Sequence, residues 1–471
     1  MEISRSNWRE QYPFFSKIEG DLIYGLLLLF CAAIATFLRK RTSLAFRRQY
    51  EGIIGILITV LVSKTLLLYS LVIVCAHLAI YKHVQNPKSL TNISFYGTFS
   101  YLAFLRIAHY VGLPKLEFIT NAIQLIMTLR VIGLSYEIAD TREAKNETKE
   151  TNSKREKRFI TEPTTFEAFN YLYSFTGLFT GPYYSYQTYH DALHSEFLTK
   201  ISVRWMIMKK MQTLSWSLPM LILFYILSPL EMLKSEKVNE YNFFTLILLS
   251  SLAFVYLRMR IYTAWMIAES ICICSGIGIY PLHCNSSTGY GPRNLEKLRE
   301  ESGSLDVEYD SETINNLDIP HVECSDGFRS GMRAWNKTVQ FWLANFVYKR
   351  TNKSWRMPYT MFISAFWHGI HPGYFLSFLT IPLCTFAEDL LFKVVKPNAE
   401  TNKRPFYFEL IWRFIRTKGF ELMACGFLLL SWTDTVRLWN GVYWWLHFTM
   451  IFVALGSYLA LLFKRKYKKT D

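Results

Sequence analysis

The stretch LIYGLLLLFCAAIATFL, residues 22–38, carries no charged side chain. As a helix it is long enough to cross roughly 30 Å of hydrocarbon. Mixed charges precede it and Arg39, Lys40 and Arg41 follow it, where a cleavable signal would show a basic leader and a small-residue cleavage site, so it reads as a retained span. Working outward, similar apolar runs recur at residues 52–62, 65–81, 93–112, 118–139, 207–227, 243–257, 262–280, 359–391, 406–430 and 436–462. With 51% hydrophobic and 17% aromatic residues, and apolar residues in runs rather than alternation, the chain is not a soluble enzyme. The expectation is an all-α, multi-spanning helical membrane protein of about eleven crossings. Several runs are short or polar, and unpaired backbone is not tolerated in lipid, so some are expected to be broken or re-entrant and sheltered by the rest.

The net charge of +15 is scattered over several inter-helix loops without an accompanying soluble domain, which argues against nucleic acid and for the surface of an anionic bilayer. Basic residues crowd 39–48 and 464–469, and the positive-inside rule assigns both stretches to the cytosol. Eight cysteines, mostly inside apolar runs and without CxxC spacing, read as buried small hydrophobes. Two polar stretches interrupt the apolar body. Residues 140–163 alternate Lys/Arg with Glu and read as a flexible loop; residues 282–330 form a second polar loop. The latter leads into GMRAWNKTVQFWLANFVYKR, residues 331–350, where Trp335, Val339, Trp342 and Phe346 form an aromatic helix face opposite Lys337 and Asn345. Packing accounts for that face; Asn336 beside it needs its own reason. No fixed-period repeat is visible.

His368 is the residue most open to a chemical role. It lies in MPYTMFISAFWHGIHPGYFLSFLTIPLC, residues 357–384, where an ionisable side chain is costly and is by default a functional candidate. A hydrogen-bonded packing histidine is the competing reading. Gly369, Pro372 and Gly373 break the backbone beside it, and broken backbone at membrane depth is sheltered by protein or lines a cavity, a setting that suits a general base. His371 stands three residues on, but the usual zinc helix pairs His at i and i+4 with a carboxylate, and none is near before Glu388; no metal is expected. GxSxG is absent, and the HxxxxD spacing of His321 and Asp326 falls in the polar loop without hydrophobic surroundings. In YLRMRIYTAWMIAESICICSGIGIYP, residues 256–281, Tyr262, Trp265 and Glu269 share a helix face; Glu269 demands a partner, either a structural one or a substrate head group.

SAFWHGIHPGYF, with WNKTVQFWL upstream, resembles the membrane-bound O-acyltransferase (MBOAT) family, whose signature is an intramembrane histidine and an upstream asparagine. FITNAIQLIMTLR, LRMRIYTAWMIAES and EYDSETINNLD are similar to its lysophosphatidylinositol acyltransferase branch. The likeness runs from about Tyr101 to the C-terminus and leaves the first span and 140–163 unassigned. It implies a single membrane domain over 1–471 enclosing a catalytic tunnel, with 464–471 as a basic cytosolic tail. His368 corresponds to the family histidine and Asn336 to the family asparagine. Tyr262, Trp265, Glu269, Trp335, Trp367 and His371 are candidate substrate-binding residues. The implied reaction joins acyl-CoA, typically arachidonoyl-CoA, to the sn-2 hydroxyl of lysophosphatidylinositol in phospholipid remodelling. Acyl-CoA is then a co-substrate, its phosphates meeting basic loop residues, and no cofactor is needed. Lys468 and Lys469 in the terminal KKTD stand where a dilysine signal of the endoplasmic reticulum would. Another lysophospholipid head group, protein O-acylation and transport are the alternatives; oligomeric state is not legible.

Overall fold

The run at residues 22–38 lies within helix α1 (Pro13–Arg41) of a computed structural model that describes residues 13–146, 158–301, 304 and 306–467. Helices α2 (Leu44–Ser63), α3 (Leu67–His83), α4 (Pro87–Ile107) and α5 (Phe118–Asn146) follow. Then come the short α6 (Thr165–Tyr173) and α7 (Tyr186–His194), and the long α8 (Arg204–Ile226) and α9 (Phe243–Ser275). After a two-stranded antiparallel hairpin, β1 (Tyr280–Pro281) with β2 (Tyr309–Asp310), the chain forms α10 (Ile319–Cys324), α11 (Phe328–Ala334) and α12 (Lys337–Phe346). It ends with α13 (Arg356–His368), α14 (Pro372–Val394), α15 (Phe406–Leu429), α16 (Trp432–Gly441) and α17 (Trp445–Tyr467).

Among the described residues six helical stretches are long and apolar enough to cross a membrane: Glu19–Arg41, Leu44–His83, Phe118–Asn146, Phe243–Ser275, Pro372–Val394 and Trp445–Lys464. The expected runs 52–62 and 65–81 belong to one stretch, divided only by the 3-10 turn Lys64–Leu66. Runs 243–257 and 262–280 fuse into α9, because LRMRI between them is composed of good helix formers. Helices α4, α8 and α15 are as long but more polar. Large apolar side chains such as Leu61, Phe452 and Phe463 are more than 60% exposed, a surface suited to lipid. The region expected as a flexible loop over 140–163 instead begins as helix: TREAKN continues α5 to Asn146, and Arg142 and Lys145 pair with Glu162. Residues 147–157 lie outside the described part, as do Lys468 and Lys469. The polar stretch 282–330 is likewise not a plain loop but carries the hairpin and short capped helices.

The chain divides into two compact units, Met1–Leu214 with Ala264–Asn315, and Ser215–Thr263 with Asn316–Asp471. In the first, residues 174–185 are non-helical and almost wholly buried, a segment that the sequence reading did not single out. Arg130 of α5, itself fully buried, ties this segment to the end of α6: Nη1 donates to the α6 carbonyls Tyr171 O (3.2 Å) and Leu172 O (3.0 Å) and to Ser174 O (2.8 Å), and Nη2 to Thr176 O (2.5 Å) and Tyr184 Oη (2.9 Å). The four N–H groups on the two Nη atoms of the guanidinium supply these contacts. Beside it, Glu51 is held by Arg47 at 3.2 Å and by Ser174 Oγ at 2.9 Å.

The second unit is built around α14, which packs against α13, α15 and α17. Its contact with α15 is backbone on backbone: a Cβ on Gly373 would stand 2.1 Å from Gly426 O, and Gly373 N donates to Leu430 O at 2.8 Å. The break between α16 and α17 passes through Tyr443 and Trp444, both at positive φ.

Candidate active site

Helix α13 stops at His368 because Gly369 takes an extended backbone (φ 161°, ψ −176°), its N–H closing the last turn on Ala365 O at 3.1 Å. Pro372 opens α14 at a first-turn position, where a missing N–H costs nothing. The imidazole of His368 is therefore carried on a helix end, half-buried among aromatic rings. Ring centres lie 4.7 Å from Trp367, 5.3 Å from Phe378 in a stacked arrangement, 5.0 Å from Phe427 edge to face, and 5.8 Å from Tyr374. Such walls restrict water and hold the ring's orientation.

Asn336 occupies the residue before α12 with a left-handed backbone (φ 48°, ψ 51°). A residue there ordinarily caps the helix with its side chain from an extended backbone. Asn336 makes no capping bond; Asn316 does the work instead. Its Oδ1 accepts from Thr338 N (3.2 Å) and Thr338 Oγ1 (2.6 Å), and its carbonyl accepts from Lys337 N (2.8 Å). Upstream, Asp318 N donates to Ala334 O at 3.0 Å. The histidine and asparagine segments are joined twice. Helix α12 and α13 both pack on the 3-10 turn Tyr348–Arg350. Glu388 of α14, buried, accepts from Phe328 N (2.5 Å) and Arg329 N (3.0 Å) at the start of α11, and from Trp412 Nε1 (3.1 Å).

A model of the family described as "MBOAT, membrane-bound O-acyltransferase family" matches residues 21–433. The chain belongs to the membrane-bound O-acyltransferase family. Among its relatives, a membrane-bound acylglycerophosphatidylinositol O-acyltransferase of Caenorhabditis elegans is 40% identical over 91% of this chain and 93% of its own length. Proteins of the same name from human and mouse are 34% and 33% identical, each match covering 93% of both chains. The expected family, the acyltransferase activity and the helical membrane architecture are thereby borne out.

In this MBOAT protein the predicted site residues fall into three groups. Trp367, His368 and His371 are neighbours, with the Tyr374 ring within 6 Å of both imidazoles; His371 itself is exposed at the turn. Trp335 and Tyr262 meet at 6.1 Å beside Asn336. Tyr262 Oη donates to Glu323 Oε1 at 2.7 Å, Arg258 pairs with the same carboxylate, and Arg416 donates to Val322 O and Glu323 O at 2.9 and 2.8 Å. Trp265 is half-buried on α9, and Glu269, fully buried, forms an ion pair with Lys210. The HxxxxD pair does not act together: His321 binds Asp318 at 2.9 Å, while Asp326 accepts from Ser330 Oγ at 2.6 Å. Sequence reasoning missed Asn316, Glu388 and Phe427. Phe427 carries no local signal, whereas Tyr374 and Phe378, four apart on α14, share a face and were findable.

Proposed function

We propose that this enzyme transfers a fatty acyl group from acyl-CoA to the sn-2 hydroxyl of a lysophospholipid, with lysophosphatidylinositol as the preferred acceptor. The observation that carries the reading is His368 on the last residue of α13, its imidazole set among four aromatic rings at a break between two helices. The names of the relatives, acylglycerophosphatidylinositol O-acyltransferases, support the inositol head group. A hydroxyl is a weak nucleophile at neutral pH, so His368 takes its proton as the oxygen attacks the thioester carbonyl, a contribution of about 10²- to 10⁴-fold. The tetrahedral oxyanion collapses, expelling the CoA thiolate, which recovers the proton from the imidazolium. Asn336 supplies amide N–H donors to the thioester oxygen as it becomes anionic, a role worth about 10²- to 10³-fold in other acyl-transfer sites. A thioester is already activated, so the chemistry calls for no resident metal or redox cofactor. Holding both substrates in a buried tunnel protects the donor from hydrolysis. The donor is a polyunsaturated acyl-CoA entering from the cytosol, and the enzyme resides in the endoplasmic reticulum with its C-terminus cytosolic.

The test is CoA release by the purified protein supplied with arachidonoyl-CoA and a panel of lysophospholipids. Release dependent on lysophosphatidylinositol and lost in His368→Ala is the expected result. Preference for another head group would change the acceptor and keep the reaction; no release with any lysolipid, or full release by His368→Ala, would overturn the proposal.

A further inference from the structure

The left-handed backbone of Asn336 sets a physical problem. Asparagine tolerates that conformation better than other non-glycine residues, so strain alone is not the problem; what the residue forgoes is. The conformation removes it from the extended backbone in which an asparagine caps the helix it precedes. Left to itself, an asparagine before α12 would gain by relaxing to the extended form and turning its carbonyl on the N–H of Thr338. That N–H is already taken. Asn316, twenty residues upstream by sequence, accepts it at 3.2 Å and accepts the Thr338 hydroxyl at 2.6 Å, while its own carbonyl takes the N–H of Lys337. Gln340 closes the other side, its N–H reaching Asn336 O at 3.0 Å and its amide reaching the carbonyls of Met332 and Trp335.

We infer that Asn316 is a positioning residue for acyl transfer: it caps α12 in place of Asn336 and so leaves the Asn336 amide for the substrate. The inference rests on the role proposed above for Asn336. It makes Asn316 act through another residue, without touching substrate. Two asparagines therefore divide what one ordinarily does, the distant one closing the helix and the adjacent one serving the reaction.

The experiment measures kcat, KM and thermal stability of the full-length enzyme in CoA release. Asn316→Ala is expected to lower kcat by on the order of 10- to 100-fold with KM little changed, because misplacement of a reacting group costs that much. Asn316→Asp, whose carboxylate accepts the same two bonds, restores most of it. Thr338→Val, which removes only the hydroxyl bond, gives a smaller loss and serves where Asn316→Ala does not fold. In an Asn336→Gly background, where glycine keeps the left-handed backbone but lacks the amide, Asn316→Ala produces no further fall. Normal kcat in both Asn316→Ala and Thr338→Val beside an impaired Asn336→Gly would overturn the inference alone. So would a loss that Asn316→Asp fails to rescue, or an equal loss in the glycine background. Full activity in Asn336→Gly would instead remove the role of Asn336 itself, which that single variant reveals.

Discussion

Burial pushes the carboxyl of Asp310, in β2, up to about 6, with the nearby Glu312 adding to the effect and the Glu312 N–H opposing it. The folded hairpin thus holds a proton that the unfolded chain releases nearer pH 4. Where the native state binds more protons than the unfolded one, stability falls as pH rises. The contribution of Asp310 is full below about pH 4 and is lost as pH passes through about 6. Asp310→Asn, which keeps the acceptor for Glu312 N, should protect the 280–316 region at pH 7 and flatten its pH dependence. Hydrogen exchange, corrected for intrinsic rates, reads this out; equal protection in the two proteins at pH 7 would refute it. Legibility at this scale follows the same energetics. His368 was visible in the sequence because an imidazole in an apolar run is anomalous on its face. Asn316 was not, because an asparagine in a polar stretch is ordinary, and only the fold shows that its partner is Thr338.

Short helices at the site are held by caps from elsewhere in the chain. The two N–H groups at the start of α11 end on Glu388 of α14, and a Cβ on Gly327 would stand 2.2 Å from that carboxylate, so the glycine leaves it room. Glu388→Gln replaces one acceptor with an NH₂ group and leaves a buried donor unsatisfied, at a cost of about 1–3 kcal/mol. The expected outcome is a lower unfolding temperature together with reduced turnover, since α11 leads within two residues to Asn336. Unchanged stability would mean the cap is dispensable. Long helices were legible from apolar run length. Their joins were less so: a charged pair such as Arg258 and Arg260 looks like a boundary, yet α9 passes through it because Arg258 finds Glu323 and the local residues favour helix. The segment 174–185 stayed hidden for a related reason. Its glycines and tyrosines look like a surface loop until Arg130 is seen to bind the carbonyls of Ser174 and Thr176.

At the scale of the whole molecule, large apolar side chains are exposed along several spanning helices and Arg39, Lys40 and Arg41 close the first of them, so orientation in the bilayer is an electrostatic matter. A peptide tag added after Asp471 should be reached by antibody in cells whose plasma membrane alone is permeabilised. Detection only after the internal membranes are opened would reverse the proposed orientation. The close meeting of α14 and α15 has a consequence in genetics. Glycine is encoded by GGN, and every single-base missense change of such a codon supplies a Cβ. At Gly373 that atom has 2.1 Å in which to fit, five residues from His368. Among inherited variants of this enzyme, a damaging allele near the histidine can therefore arise at a residue that has no side chain to lose, through the addition of a single methyl group.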